Sequence, residues 1–97
     1  MSFKIEKNSE NGFVLTGRLD SLAAPVLEAE IAPLFSSVRS LKLDMEKLEY
    51  ISSAGLRVIL KAQKALEKKD GLKLTNVPAP VKEVFDITGF SDFLKIE

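Results

Sequence analysis

Apolar and polar positions change period several times along the chain, and the changes mark the elements. Phe3-Lys4-Ile5-Glu6 and Phe13-Val14-Leu15-Thr16-Gly17 read as two short strands, and the turn-forming Asn8-Ser9-Glu10-Asn11-Gly12 between them predicts a hairpin. Leu22, Val26, Leu27, Ile31 and Leu34 then recur on one helical face, with Asp20 and Ser21 as caps and Pro25 in the first turn. Pro33 marks where that helix kinks or ends. Strand-like alternation returns over Val38 to Asp44. From about Gly55 to Lys68, Leu56, Ile59, Leu60 and Leu66 fit a helical face, with Lys64, Lys68 and Lys69 favouring the negative end of the helix dipole.

Asp70-Gly71 stops that helix, and Leu72 to Val77 supplies another strand. Pro78-Ala79-Pro80 opens a short helix carrying Val81, Val84, Phe85 and Ile87, with Phe85 and Ile87 expected in the core. Gly89 closes it, and a last strand is expected from Phe93 to Ile96. The order β-β-α-β-α-β-α-β predicts an α/β domain: a mixed sheet with parallel neighbours and covering helices, formed by residues 1–97 as one unit.

Composition narrows the function. At 45% hydrophobic and 29% charged residues, the chain has enough apolar area to fold, and no apolar run approaches the roughly 20 residues of a membrane span. Fourteen basic residues balance fourteen acidic ones without clustering, which disfavours nucleic acid as a partner. The chain contains neither cysteine nor histidine, so thiol nucleophiles, the usual structural zinc sites and the commonest general base are missing. No cofactor, metal site or catalytic residue is expected. The first residues, Met1 to Lys7, lack the pattern of a secretory signal, and the expected location is the cytoplasm, without membrane insertion.

The chemically suggestive stretch is Tyr50-Ile51-Ser52-Ser53-Ala54-Gly55-Leu56, where a small hydroxyl-bearing turn joins a strand to a helix. Hydroxyls and the first free helix amides then share one exposed edge, a setting for an anion or a phosphoryl group. The competing role for Ser52 or Ser53 is a helix cap, and for Gly55 a tight backbone approach. A phosphorylated serine here would place about two negative charges at a helix amino terminus, which tolerates them. Nucleophilic catalysis by Ser53 is disfavoured because no histidine is present to activate it.

Gly17-Arg18-Leu19-Asp20, Leu41-Lys42-Leu43-Asp44, the serine turn and Val84-Phe85-Asp86-Ile87-Thr88-Gly89-Phe90, in that order and spacing, resemble the STAS domain of bacterial anti-sigma-factor antagonists. The resemblance covers nearly the whole chain. It implies a partner-switching protein: the unphosphorylated form binds an anti-sigma factor that is also a serine kinase, phosphorylation ends the binding, and a PP2C-type phosphatase restores it. ATP belongs to the kinase. The acceptor implied is Ser53, two residues before the motif glycine. Against the commonest pattern Asp-Ser-Ser-Gly, Ser52 replaces the aspartate and Ala54 the second serine, which leaves Ser52 as a reserve acceptor.

The candidate partner-binding surface is Asp20, Ser21, Ser52, Ala54, Gly55 and Arg57 around the acceptor Ser53. Asp20 corresponds to an acidic residue of the family near the serine turn, and it is also a good helix cap. Arg57 lies four residues after Ser53, within reach of a phosphate or of Asp20, and otherwise reads as an exposed arginine. Asp44, expected at a strand end, reads as a solvated carboxylate. Surface apolar residues near Leu22 and Ala23 would extend a docking patch, but a buried helix face is the favoured reading of that stretch. The alternative function is a constitutive STAS-like subunit of a lipid ABC transporter, which would need no phosphate on Ser53.

Overall fold

A computed structural model describes residues 3–92 and 94–97. Strands β1 (Lys4–Ser9), β2 (Gly12–Leu19), β3 (Ser40–Ile51), β4 (Gly71–Thr75) and β5 (Lys95–Ile96) form one sheet in the order β1-β2-β3-β4-β5. β1 and β2 form the expected antiparallel hairpin, and the remaining neighbours are parallel. Each parallel pair is joined through a helix: α1 (Ala24–Ile31), α2 (Ser53–Leu66) and α3 (Ala79–Thr88). Parallel strands cannot be joined by a tight turn, so the helices are forced by the topology as much as by their own periodicity. The expected mixed α/β sheet with covering helices is the observed architecture.

One face of the sheet carries the core. Phe13, Leu15 and Leu19 of β2, Leu41, Leu43, Met45, Leu48 and Ile51 of β3, and Leu72 and Leu74 of β4 are buried there with Leu27, Ile31, Ile59, Leu66 and Phe85 of the helices. The opposite face presents Lys42, Arg18 and Lys73 to solvent.

β3 extends well past the expected end at Asp44. Its inward apolar residues follow at spacings of two through Met45 and then of three, to Leu48 and Ile51. The register with β2 shifts in the same places, between Val14 and Thr16 and between Gly17 and Arg18, so β3 carries extra residues there as bulges. Asp44 sits at the first bulge rather than at a strand end. Its Oδ1 accepts hydrogen bonds from the Glu46 backbone N–H at 3.0 Å and from Asn76 Nδ2 at 3.2 Å.

Three apolar residues expected on buried faces lie outside the core: Leu22 is 84% exposed, Val26 50% and Ile87 77%. Leu22 falls in the turn before α1, which starts two residues later at Ala24, and this turn rotates its side chain away from the sheet. α1 instead buries Ala24, Leu27 and Ile31, a narrow stripe that leaves Val26 on the flank. α3 is likewise anchored by the buried Val81 and Phe85 with Val84 half-buried beside them, and Ile87 points outward near its end. Pro33 ends α1 by the second expected route, within a 3₁₀ turn over Ala32–Leu34. Gly89 closes α3 at φ 81°, a left-handed conformation suited to glycine. Of the last expected strand, Lys95–Ile96 pairs with β4, and Phe93 lies outside the described residues.

Candidate functional site

The site forms where β2 and β3 end side by side. Leu19 is in register with Ile51, so Asp20 and Ser52 leave the sheet at one edge, and the Ser52 backbone N–H donates to the Leu19 carbonyl at 2.9 Å. α2 then begins immediately. Ser52 is its N-cap, with extended backbone (φ −94°, ψ 173°), and its Oγ accepts a hydrogen bond from the Gly55 N–H at 3.2 Å. Capping satisfies one of the helix's orphan amides, an arrangement worth about 1 kcal/mol.

Ser53 is the first helical residue and is exposed. It opens the first turn, whose amides have no carbonyl in the helix to bond. The two serines therefore differ in their surroundings. Ser52 is half-buried and engaged with the backbone, and Ser53 is turned to solvent.

Gly55 is buried directly under the turn. A Cβ there would stand 2.8 Å from Leu19 Cγ, 2.9 Å from the Leu19 carbonyl oxygen and 3.1 Å from Ile51 Cγ1. The glycine lets the start of α2 lie against the ends of β2 and β3, which fixes where Ser53 is presented; it offers no side chain to a partner.

Neither Asp20 nor Ser21 caps α1 itself, whose N-cap is Ala23 without a side-chain bond; Asp20 caps the turn before it, its Oδ1 accepting from the backbone N–H groups of Leu22 at 3.1 Å and Ala23 at 2.9 Å. Ser21, Ala54 and Arg57 come together along a groove of about 240 Å³ between α1 and α2. Ala24, Pro25 and Val58 line it as well, and an ion pair between Lys61 and Glu28 at 3.0 Å bridges its far end. Arg57 has no ion-pair partner among the described residues. On the other side of the edge, the Arg18 guanidinium stacks over the Tyr50 ring at 4.2 Å from its centroid. Sequence reasoning passed over that pair, whose signal lies in the strand register rather than in the local pattern. No group of histidine, cysteine or acidic side chains among the described residues is arranged to hold a metal ion.

The family model described as Mlab, STAS domain matches residues 5–96. The chain belongs to the STAS domain family. It is 45% identical over 78 residues to BtrV of Bordetella bronchiseptica, named as an anti-sigma factor antagonist, covering 78% of this chain and 67% of that one. To the anti-sigma-B factor antagonist of Bacillus subtilis it is 33% identical over 93 residues, covering 93% of this chain and 85% of the relative. The fold matches that of the Bacillus anti-sigma factor antagonist SpoIIAA. With its unphosphorylated form the TM-score is 0.77 at 24% identity, covering 99% of this chain and 88% of the other. With its phosphorylated form the TM-score is 0.71 at 23% identity, covering 99% and 91%. This STAS domain thus presents an exposed serine at the strand-to-helix edge of a fold shared with anti-sigma factor antagonists.

Proposed function

We propose that this STAS domain is a bacterial anti-sigma-factor antagonist, a partner-switching protein that binds an anti-sigma serine kinase in the cytoplasm while Ser53 is unphosphorylated. Phosphate on Ser53 ends the binding, and a PP2C-type phosphatase returns the domain to its binding form. The chain acts by binding and catalyses nothing itself, and nucleotide enters only through the kinase.

The observation that carries this reading is the division between Ser52 and Ser53. Ser52 caps α2 through its Oγ, while Ser53 is exposed at the helix amino terminus. A kinase reaches the free hydroxyl without unfolding the turn, and the helix dipole and open amides stabilise the added charge. This difference supports Ser53 as the acceptor, with Asp20, Ser21, Ala54 and Arg57 framing the surface proposed for the partner. The names of the relatives favour this role over a constitutive transporter subunit.

The test is a pull-down from native cell extract with the wild-type domain and with Ser53→Glu, followed by phosphosite mapping after incubation with the captured kinase and ATP. Capture of a kinase-like protein by wild type alone, with phosphate on Ser53, is the expected result. Transporter components retained equally by both forms would sink the switch and favour a scaffold.

A further inference from the structure

Resting on that reading, we infer that the groove between α1 and α2 receives an amphipathic helix of the partner, one that offers an acidic side chain to Arg57 and apolar side chains to Leu22 and Val26. Three features of the surface choose this occupant. The groove lies beside the acceptor turn, with Ser21 and Pro25 on its α1 wall and Ala54 and Arg57 on its α2 wall. Its far cation, Lys61, is already neutralised by Glu28 at 3.0 Å, while Arg57 is exposed without an acidic partner among the described residues. A single uncompensated positive charge, reinforced by the amino-terminal end of the α2 dipole, selects a carboxylate.

The apolar half of the argument comes from α1. Leu22, in the turn before α1, and Val26, on the flank of α1, each follow a groove-lining residue in sequence, Ser21 and Pro25, and stand beside the groove at 84% and 50% exposure. Removing such apolar side chains from water is favourable, so a partner that covers them gains what folding of this chain leaves unused. A ridge of apolar side chains with a carboxylate on its flank is the surface of an amphipathic helix laid into a groove.

The inference also gives phosphorylation a mechanism. Arg57 lies one helical turn after Ser53 on the same face, a spacing that brings side chains together. Phosphate on Ser53 takes up Arg57 as its own counter-ion and repels the incoming carboxylate. The group that attracts the partner is then the group through which the switch acts.

The experiment is calorimetric titration of the purified kinase captured by wild type, against wild type, Arg57→Glu, Arg57→Lys and Leu22→Asp, at low and moderate salt. Arg57 and Leu22 are exposed, and a thermal melt of each variant verifies folding. We expect Arg57→Glu and Leu22→Asp each to weaken binding about tenfold or more, and Arg57→Lys to retain most of it. One acidic-to-lysine change in the kinase restores binding to Arg57→Glu. In an Arg57→Ala background the loss caused by Ser53→Glu shrinks, which a purely structural role of Arg57 would not produce. Equal affinity of wild type, Arg57→Glu and Leu22→Asp, with Ser53→Glu still inactive, overturns the groove and leaves the switch standing. Kinase binding indifferent to Ser53→Glu overturns the switch and the inference with it. A wild-type homodimer abolished by Leu22→Asp assigns the surface to a second copy and also overturns the inference.

Discussion

Gly55 and Leu19 touch so closely that a Cβ on Gly55 would lie 2.9 Å from the Leu19 carbonyl oxygen. That oxygen is backbone and already accepts the Ser52 N–H at 2.9 Å, so it has no freedom to withdraw. Gly55→Ala therefore pushes α2 away from the sheet edge, and overpacking of this kind costs about 1–3 kcal/mol. Helix propensity acts in the opposite direction, by roughly 1 kcal/mol in favour of alanine. Urea unfolding should show a net loss of stability; a net gain would mean that the contact relaxes freely.

Ser52 can be replaced by aspartate without loss, because serine and aspartate cap helices about equally well. Both present an oxygen to the Gly55 N–H, which Ser52 Oγ reaches at 3.2 Å. Ser52→Ala should cost about 1 kcal/mol in chemical denaturation and Ser52→Asp close to nothing. The same comparison separates the serines: Ser53→Ala, which removes no such bond, should leave stability within about 0.5 kcal/mol of wild type.

Asp86 carries the acid-sensitive interaction of α3. The Ser91 hydroxyl donates to its Oδ1, and Lys82 lies 3.3 Å away on the preceding turn; together, with Ser91 first, they hold the Asp86 carboxyl below its ordinary value. A carboxylate whose folded pKa is depressed contributes stability that is complete above its unfolded pKa of about 3.9 and is lost as pH falls through the lower folded value. NMR titration of the Asp86 carboxyl should accordingly show a depressed midpoint that returns toward the ordinary range in Ser91→Ala. An unchanged midpoint in that variant would assign the shift to Lys82.

The elements with an unbroken period were legible in the sequence, and those with a broken one were not. The β1–β2 hairpin, α2 and the Gly89 stop follow from turn residues, a clean helical face and a left-handed cap. The second half of β3 was missed because its bulges change the apolar spacing from two to three, which reads as neither strand nor helix. For Leu22, Val26 and Ile87 the spacing predicts burial, because spacing alone cannot tell how wide a stripe a short helix buries. The sequence makes Lys69 a partner of the helix dipole, yet its Nζ donates to the carbonyls of Phe35 at 2.8 Å and Val38 at 3.2 Å, tying the loop after α1 to the end of α2. Contacts across more than thirty residues leave no local signal. Within the site, Ser53 and its strand-to-helix setting were visible as a motif. That Ser52 is engaged as the helix cap while Ser53 stays exposed required the cap geometry.

Charge on Ser53 should leave the fold intact, so that under the proposed switch any loss of partner binding is a local event. Ser53 opens α2, and no acidic residue occupies the first turn to compete for the positive end of the dipole. A negative group at that position is worth about 0.3–1 kcal/mol of stabilisation on an exposed helix. Repulsion from Asp20 is muted, since its Oδ1 is committed to the Leu22 and Ala23 amides at 3.1 and 2.9 Å. Ser53→Glu should therefore melt at or slightly above the wild-type temperature, with the gain shrinking as salt rises. A melt several degrees lower would show that the substitution disrupts the turn itself. Partner release by Ser53→Glu would then report damage to the domain instead of a switch.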